Sequence, residues 1–562
     1  MGGLPFFGTI WASDYRSIGV LPRPENCAAT NSLISVGRFA RQKKSGLPSV
    51  SRYHLPWLGP FSFENRRPLN QDAATMPFQD FREFLDALRK AGELLELDRA
   101  VSPELEVAKA MRKSASVSGP ALVFKNNGTA FPLVGGVYNT RAKALIALET
   151  NEEDVFDKVL RGMARRISPI VVPDAPVHEN IIMDDAVDLS KLPVAKYSPE
   201  DGGPYITPGI VVSKDPETGI PDMGHYRFEV IDKQIMSFLA QPNHRFGGNL
   251  VKARRMGHTT FQAALVIGVD PAIAYTCPIL VPDDTNDFEV VGGMRGAALE
   301  LVRCKTIDVE VPAHAELVFE LEVDFTQEVF EGPLGEYTGY YTPGSKKPIA
   351  RIKAITHRNN AYFQALLTGV PPTENHILKQ LSYEASYFAM LKVQHPTLAS
   401  VAIPASGGVA FYIVISMKQR YAGEARHVIL NAIASSQRPK LVVVVDPDID
   451  VRNPDQVEWA IAFRTQPARD VIIIDSLPGG PLDPSIDDSI PLDRRVGSVI
   501  GIDATFPFGA DEQKAADVPA GEACGPAVAE HGHEFFKVAD VPGWQEYNFP
   551  ELQKYVAKPA TP

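Results

Sequence analysis

Two glutamates five residues apart bound the segment Glu331-Gly-Pro-Leu-Gly-Glu336. On a straight strand their side chains would point to opposite faces. Gly332, Pro333 and Gly335 predict a turn instead, which would bring both carboxyl groups to one mouth. Paired carboxyl groups do acid–base chemistry because their proximity drives their pKa values apart. The alternative interpretation is a solvated turn with two surface acids.

A second segment, Asp222-Met-Gly-His-Tyr-Arg227, places an acid, an imidazole and a guanidinium within six residues. The planar fork of Arg227 suits a carboxylate or a phosphate. On a strand, Asp222, Gly224 and Tyr226 would share one face, and His225 and Arg227 the other. The alternative is a strand whose charges are satisfied at the surface.

His244, in Gln-Pro-Asn-His, and Asp287, in Asn-Asp-Phe-Glu, are candidates to join Asp222 as metal ligands. One imidazole and two carboxylates suit Mn²⁺ or Mg²⁺. These three ligands define one hypothesis, a metal-dependent hydrolase that activates water. No short spacing enforces the set, and a structural role for His244 is the alternative.

Other classes of protein are disfavoured by composition and by missing motifs. The net charge of −12 argues against a protein that coats nucleic acid. No phosphate-binding P-loop and no Gly-x-Ser-x-Gly nucleophile elbow occur. The four cysteines form no Cys-x-x-Cys pair, which excludes a zinc ribbon or a thioredoxin motif. They lie far apart, so a disulfide framework is not expected, which suggests a reducing compartment. No apolar run approaches 18 residues, so no transmembrane helix and no membrane partner are expected.

The chain divides into regions that differ in composition and in hydrophobic periodicity. Residues 1–75 are rich in proline and arginine and lack a helix or strand period, which predicts a disordered or loosely docked extension. A targeting peptide, or translation from Met76, is the alternative. Residues 76–195 predict an α/β domain with a helical stretch near 141–164, and Ser168–Pro199 predicts a linker that crosses to the next domain.

Residues 196–375 contain short strand-like runs, including His225–Ile231, and predict an antiparallel β-domain or barrel. In residues 376–530, helices alternate with apolar strands such as Leu441–Val445, which predicts a parallel sheet covered on both faces. The tail, 531–562, contains one amphipathic helix over Trp544–Lys558.

Seven segments, in this order, resemble UbiD-type decarboxylases, the group that includes bacterial polyprenyl-hydroxybenzoate and fungal ferulic acid decarboxylases. They are Glu200–Thr207, Asp222–Arg227, Gln241–His244, Gly292–Cys304, Glu331–Glu336, Leu441–Val451 and Gly501–Thr505. The resemblance implies an α/β N-terminal domain, a central split β-barrel that binds flavin, and a C-terminal α/β domain with a terminal dimerisation helix.

The resemblance further implies prenylated FMN, made by a separate flavin prenyltransferase, with Mn²⁺ (or Mg²⁺) and K⁺. It also implies a homodimer or higher homo-oligomer, in the cytoplasm or, if 1–75 is a targeting peptide, in mitochondria. Asp222, His244 and Asp287 match the metal position, although many members have Asn and Glu where this chain has Asp222 and Asp287. The implied cofactor-binding residues are Asp222, Met223, Gly224, His225, Tyr226, Arg227, Asn243, His244 and Asp287.

The implied activity is a reversible, non-oxidative decarboxylation of an aromatic, heteroaromatic or α,β-unsaturated carboxylic acid. Arg227, Glu331 and Glu336 match the catalytic residues, with Glu336 as the expected proton donor. Lys379 and Leu482 fall near positions that face the substrate in relatives. A lysine there favours acids with a second polar group, unless it simply points to solvent. A cofactor-less binding or scaffold protein is the alternative from another functional class.

Overall fold

The computed structural model describes residues 77–279, 281–435, 438–480, 482–487 and 489–509, and the backbone of two short strands beyond them, Pro526–Val528 and Glu534–Phe536. These residues all belong to one compact unit, Leu58–Pro562. The predicted extension 1–75 and the predicted helix Trp544–Lys558 lie outside the described residues.

The first part of the chain begins with a helix whose apolar face is buried. The Asp80 side chain accepts a hydrogen bond from Glu83 N and caps this helix, and Phe81, Phe84 and Leu88 are buried beneath it. The elements here are α1 (Phe81–Lys90), β1 (Leu94–Ala100), α2 (Glu106–Ser116), β2 (Ala121–Asn126), β3 (Leu133–Gly135), α3 (Arg141–Ala147), α4 (Val155–Ala164), β4 (Ile170–Val172) and β5 (Asn180–Met183).

The helical stretch predicted near 141–164 consists of two helices, α3 and α4, with a turn between them. The Asn151 side chain accepts hydrogen bonds from Glu153 N and Asp154 N, which starts a new helical turn there. The predicted linker Ser168–Pro199 is also more ordered than expected. Its strand β4 pairs with a later strand, and β5 joins the largest sheet.

The central part of the chain is dominated by strands. Its elements are β6 (Tyr205–Ile206), β7 (Ile210–Lys214), β8 (Pro221–His225), β9 (Phe228–Val230), β10 (Ile235–Phe238), α5 (Arg245–Arg255), β11 (Thr260–Ile267), α6 (Pro271–Thr276), α7 (Asp287–Arg295), β12 (Glu300–Arg303), β13 (Glu310–Pro312), β14 (Leu317–Glu331), β15 (Leu334–Gly335), β16 (Tyr341–Thr342), β17 (Ser345–His357) and β18 (Phe363–Gln364).

One nine-stranded sheet organises this part, in the order β6-β9-β10-β17-β14-β11-β7-β8, with β5 paired to β17. Both faces are covered. Along β11, Ala264 and Val266 enter one hydrophobic core, while Ala263, Leu265 and Ile267 enter another. This alternation follows from the two-residue period of a strand. A smaller four-stranded sheet, β1-β2-β3-β18, ties the first part of the chain to the central part.

The two ends of the nine-stranded sheet lie close together. Strand β8 forms one end, and β9 lies next to the strand at the other end. Only Tyr226 and Arg227 connect them, and Tyr226 N donates to Gly209 O across the gap. The sheet is therefore curled into a half-barrel, and the predicted continuous strand His225–Ile231 is broken where the chain crosses from one end to the other.

The last part alternates helices and strands. Its elements are α8 (Glu374–Lys392), β19 (Leu398–Ala402), α9 (Gly408–Phe411), β20 (Tyr412–Met417), α10 (Glu424–Ile433), β21 (Leu441–Val445), α11 (Pro454–Arg464), α12 (Pro467–Asp470), β22 (Val471–Pro478), β23 (Val496–Ala504), β24 (Pro526–Val528) and β25 (Glu534–Phe536).

The five-stranded sheet of this part, β19-β20-β21-β23-β22, differs from the predicted all-parallel sheet. Its three central strands are parallel, and both edge strands run antiparallel. A helix joins β20 to β21, as a parallel pair requires, whereas no α-helix lies between β22 and β23. None of the helices in the described part of the chain is long and apolar enough to span a membrane.

Candidate active site

The guanidinium of Arg227 contacts both glutamates of the segment singled out in the sequence. Its Nη1 is in direct hydrogen-bond contact with Glu336 Oε1, and its Nε lies 3.4 Å from Glu331 Oε1. Glu331 is 1% exposed and Glu336 is 7% exposed. The two acids therefore face a buried cation and not solvent, which excludes the solvated-turn interpretation.

A tight turn makes this convergence possible. Glu331 ends β14, and Gly332 follows with φ +95°, a left-handed conformation that favours glycine. A separate loop holds the turn from behind: Asp201 Oδ1 accepts from Gly335 N at 2.9 Å, and Gly202 N donates to Pro333 O at 2.8 Å. The spacing of glycines in the sequence thus serves to fold Glu336 back toward Arg227.

The charges of the two glutamates keep Arg227 protonated. Burial alone would lower the pKa of Arg227, but Glu336 and Glu331 outweigh this effect and raise it. The cluster holds two carboxyl groups against one cation. Both carboxyl groups therefore share the guanidinium of Arg227.

Lys379 of α8 is a second cation near this cluster. It is half-buried, and its Nζ lies 5.2 Å from the centroid of the Tyr337 ring. No carboxylate of the described residues lies within ion-pair distance of it. Burial lowers the pKa of Lys379, and the negative charge of Glu336 offsets part of this effect. Lys379 therefore does not point to solvent, and its charge is only partly compensated.

The positive charge of Lys379 contributes to lowering the pKa of two histidines singled out in the sequence. Burial and the Lys379 ammonium lower the pKa of His225 to about 4, so this ring is neutral at pH 7. Desolvation of the ring, with the charges of Lys379 and Arg438, also lowers the pKa of His244. His225 Nε2 lies 3.1 Å from Ala274 O, and its buried Nδ1 has no hydrogen-bond partner.

The predicted metal ligands are brought together only in part. Asp222 and Asp287 both contact Arg245, whose Nε lies 3.3 Å from Asp222 Oδ1 and whose Nη1 lies 2.6 Å from Asp287 Oδ1. Burial raises the pKa of Asp222 to about 7 and that of Asp287 above its ordinary value. His244 does not complete the set. In the described ranges, no three His, Cys, Asp or Glu side chains are close enough to hold a metal ion.

Two contacts involve the other predicted cofactor-binding residues. Asp287 Oδ2 accepts from Met223 N at 2.8 Å, and Asn243 lies exposed just before α5. The ring of Tyr226 packs on Gly224, where a Cβ atom would come within 2.8 Å of it. Two further buried oxygens nearby in the chain, Gln241 Oε1 and Thr285 Oγ1, have no hydrogen-bond partner.

These unpartnered atoms bear on whether a flavin fits. Buried polar atoms are rarely left without a partner in a native protein, so His225 Nδ1, Gln241 Oε1 and Thr285 Oγ1 indicate a missing polar ligand. Because His225 Nε2 donates to Ala274 O, its Nδ1 is an acceptor. The ring N–H and ribityl hydroxyls of a flavin supply the donors that such acceptors need.

The second predicted substrate residue, Leu482, is half-buried in the loop between β22 and β23. The next residue, Asp483, is close enough for its charge to contribute to raising the pKa of Tyr337, which is raised chiefly by burial. This loop therefore lies near the ring that Lys379 covers. The place of Leu482 in a substrate pocket stays a prediction.

Two residues of the cluster were missed by the sequence analysis. The Tyr205 hydroxyl lies 3.2 Å from Glu229 Oε2 and 3.3 Å from Glu331 Oε1, and Glu229 also accepts from Gly332 N at 2.7 Å. Glu229 stands two residues after Arg227, so the two-residue period of a strand was the signal that could have found it. Tyr205 lies in the Glu200–Thr207 segment, which carried the resemblance without a role.

Family models match the chain over most of its described length. They are the N-terminal domain, the Rift-related domain and the C-terminal domain of 3-octaprenyl-4-hydroxybenzoate carboxy-lyase (UbiD), over residues 85–163, 170–371 and 376–504. A protein of Archaeoglobus fulgidus, which has no described function, is 32% identical over 76% of this chain and 92% of its own length. The chain belongs to the UbiD family of decarboxylases.

Solved structures agree. The UbiD-class enzyme HmfF from Pelotomaculum thermopropionicum, in complex with FMN, is 30% identical with a TM-score of 0.74, over 84% of this chain and 99% of HmfF. An evolved dimeric form of HmfF holds prFMN. The vanillic acid decarboxylase of Sedimentibacter hydroxybenzoicus is 28% identical with a TM-score of 0.71, over 84% and 97%. These matches confirm the predicted fold class, with N-terminal, flavin-binding and C-terminal domains.

Proposed function

We propose that this protein is a prenylated-FMN-dependent decarboxylase that acts reversibly and without net oxidation on an aromatic, heteroaromatic or α,β-unsaturated carboxylic acid. The observation that carries the proposal is the buried contact of Arg227 with Glu331 and Glu336. Membership of a decarboxylase family and the likeness to structures that hold FMN or prFMN support it.

The protein must supply a proton where CO₂ leaves. The carbon–carbon bond to the carboxylate breaks, CO₂ departs, and the carbon that keeps the electron pair takes a proton. Glu336 delivers that proton as a neutral carboxylic acid. Arg227 then stabilises the Glu336 carboxylate that forms, and Glu331 keeps Arg227 in place. In the carboxylation direction, Glu336 removes the same proton.

When bound, the flavin supplies an electron sink for the pair that CO₂ leaves behind. The residues that would hold it are His225, Gln241 and Thr285, through the unpartnered polar atoms, with Met223, Gly224, Tyr226, Asn243 and His244 beside them. Each of these side chains or backbone segments orients the cofactor or excludes water from it.

The Mn²⁺ (or Mg²⁺) that the resemblance implies does not fit Asp222, His244 and Asp287 as the structure places them. The guanidinium of Arg245 already lies between Asp222 and Asp287 and neutralises part of their charge. No step of the proposed reaction therefore uses a metal. For the same reason, the structure offers no support for the alternative hydrolase, which needs Asp222, Asp287 and His244 on one ion.

The substrate pocket of the proposal is lined by Lys379 and Leu482. A half-buried ammonium without a carboxylate partner favours a substrate with a second anionic or hydrogen-bond-accepting group, such as a phenolate, a second carboxylate or a ring heteroatom. Leu482 would supply an apolar wall. A pocket with these two residues favours aromatic and heteroaromatic acids over plain cinnamates as substrates.

The proposal also covers the organisation of the chain. We assign an N-terminal domain to 76–195, the flavin-binding domain to 196–375 and a C-terminal domain to 376–530, and the three separate family matches support this division. A flavin prenyltransferase would supply the cofactor. The assembly would be a homodimer or a larger homo-oligomer.

The test begins with the full chain, produced together with a flavin prenyltransferase. We expect a visible absorption spectrum and a cofactor mass that correspond to prenylated FMN, and CO₂ release from aromatic or heteroaromatic acids. Glu336→Gln should bind the cofactor but lower kcat by about 100-fold or more, the scale expected for a lost general acid.

The matched control is Glu328→Gln, an exposed glutamate on the same strand β14, which should leave kcat unchanged. A Glu336→Gln variant that keeps full turnover would remove Glu336 as the proton donor. A folded protein that binds no flavin under these conditions and releases no CO₂ would instead favour the cofactor-less binding or scaffold protein.

A further inference from the structure

A third buried carboxyl group lies behind the Arg227 cluster. Glu229 is 5% exposed, its Oε2 accepts from Gly332 N at 2.7 Å, and the same Oε2 lies 3.2 Å from the Tyr205 hydroxyl oxygen. The same hydroxyl lies 3.3 Å from Glu331 Oε1. One hydroxyl group, with one proton, thus lies between two carboxyl groups and can donate to only one of them at a time.

The charges of this group do not balance if every acid is ionised. Arg227 is the one cation in hydrogen-bond contact with Glu331 and Glu336, and Glu229 adds a third carboxyl group. Asp201, close behind, is satisfied by the backbone N–H groups of Tyr197, Ser198 and Gly335. Since uncompensated carboxylates are costly in a buried site, the arrangement favours a proton on at least one acid.

Glu229 is the best placed of the three to hold a proton at rest. Among the residues that the structure describes, no cation contacts Glu229, whereas Glu331 and Glu336 share Arg227. Burial, together with the charges of Glu331 and Asp201, raises the pKa of Glu229 despite its hydrogen bonds from Gly332 N and Tyr205. Burial and the charges of Glu331 and Glu229 raise the pKa of Tyr205, so this residue stays neutral and acts as a bridge.

We propose that Glu229 and Tyr205 form a proton relay to Glu331, which keeps Arg227 facing one carboxylate at a time during turnover. The inference rests on the proposed function of Glu336 as the proton donor. Glu229 and Tyr205 are positioning residues, because they act through Glu331 and not on the substrate.

The relay conserves protons. At rest, Glu229 and Glu336 are protonated and Glu331 is ionised. When Glu336 gives its proton to the product, Arg227 is left with two carboxylates. The proton on Glu229 Oε2 then passes to the Tyr205 oxygen as the Tyr205 hydroxyl proton passes to Glu331 Oε1. The extra negative charge now rests on Glu229, against the Gly332 N–H, and the transfer reverses when solvent reprotonates Glu336.

The proton on Glu229 can be observed without cofactor or substrate. The infrared difference spectrum between wild type and Glu229→Gln should contain the carbonyl band of a protonated carboxylic acid that belongs to the wild type. This band should persist at pH values above the ordinary pKa of a glutamic acid. Absence of such a band would overturn the proposal.

The transfer itself is tested by Tyr205→Phe in the cofactor-loaded enzyme. We expect kcat to fall by about ten-fold, with an unchanged KM and an increased solvent isotope effect, because the substrate is not touched but a proton step is slowed. The matched control is Tyr197→Phe, a buried tyrosine in the same region whose hydroxyl contacts Thr207 and the backbone of Leu366 and makes no hydrogen bond to a carboxyl group among the described residues.

Equal kinetics for Tyr205→Phe and Tyr197→Phe would overturn the relay. The proposed function and the proton relay can be contradicted separately. A wild type that shows the Glu229 band but decarboxylates none of the acids would overturn the proposed function, while the band would still support the proton on Glu229. A wild type that decarboxylates but lacks the band would overturn the relay alone.

Discussion

Lys379 differs from the other charged residues of this site, because no carboxylate of the described residues lies within ion-pair distance of it. Arg227 is held by two glutamates and Arg245 by two aspartates. Lys379 has only the ring of Tyr337 at 5.2 Å and the more distant charge of Glu336. A substrate that brings its own acceptor to this ammonium would therefore gain more than one that does not.

Lys379→Met tests this at the residue scale. The variant keeps an unbranched side chain but removes the charge, so acids with a second anionic group should lose about 10- to 100-fold in kcat/KM, the value of a hydrogen bond to a charged group. Unsubstituted acids should change little. The measurement is kcat/KM for a matched pair of acids, with and without the second group.

The control variant is Lys109→Met, which removes an exposed lysine from α2. It should leave kcat/KM unchanged for both acids. An equal loss for both acids in Lys379→Met would contradict the specificity role. Such a result would assign Lys379 to the electrostatics of Glu336, whose charge it feels.

The sequence predicts the central residues of the site but not their partners. Glu331, Glu336 and Arg227 were predictable because glycines and proline imply a turn and because the segments resemble a family. Arg245 was not, although it follows His244 directly. Residue types indicate which groups bind a cation, but only the folded chain shows that a guanidinium already occupies the place between two acids.

At the scale of elements, the start of α8 ties the substrate side of the site to the turn that carries Glu336. His376, in the first turn of α8, accepts from Thr373 N at 3.1 Å through Nδ1, and its Nε2 donates to Tyr337 O at 2.7 Å. Both bonds need a neutral ring with its proton on Nε2. Burial accordingly lowers the pKa of His376 to about 4.

This predicts a pH dependence of stability. A histidine in the unfolded chain titrates near 6.5, so between pH 6.5 and about 4 the unfolded state binds more protons than the native state. The contribution of His376 is therefore complete above pH 6.5 and is lost as the pH falls toward 4. The free energy of unfolding of wild type relative to His376→Gln should fall by roughly 3 kcal/mol over this range.

Urea denaturation at several pH values measures this difference, with His258→Gln as the control because His258 is exposed. Parallel pH profiles for wild type and His376→Gln would show that the ring is not held neutral at the start of α8, and would contradict the interpretation of this helix start.

Regular elements were predictable where their periodicity is long and their ends are marked. The apolar run Leu441–Val445, predicted as a strand, is β21. The break after His225 was not predictable, because nothing local interrupts that run. It arises from pairing, since β8 and β9 belong to opposite ends of one sheet. Edge-strand direction in the last sheet is likewise a property of connections and not of composition.

At the scale of the whole molecule, the curled sheet determines where the chemistry is placed. Because only two residues join β8 to β9, Arg227 is fixed at the gap between the sheet ends. The turn after β14 brings in the two glutamates, and α8 brings in Lys379 from the last part of the chain. The site thus depends on how the parts of the chain are held together.

A buried charge network forms one such connection. Glu384 of α8 is fully buried, and both its oxygens lie 2.8 Å from Arg452, in the loop after β21. Arg141, at the start of α3, contacts Glu384 Oε2 at 3.1 Å and also pairs with Glu152. The Ile403 N–H donates to the same carboxylate at 2.9 Å. One glutamate therefore links elements that are more than 200 residues apart.

Removing the charge of Glu384 should destabilise the whole fold and not a single loop. Glu384→Gln removes the buried anion that Arg141 and Arg452 share and leaves Glu152 as their remaining carboxylate, so we expect the free energy of unfolding to fall by about 3 kcal/mol, the lower end for a broken buried pair. In a double-mutant cycle with Arg452→Met, the two losses should be less than additive, because the second change removes one of the stranded cations. Urea denaturation measures both, with the exposed Glu458→Gln as control. Additive losses would mean that Glu384 and Arg452 stabilise the chain independently, and the link between α8 and the loop after β21 would then not depend on this ion pair.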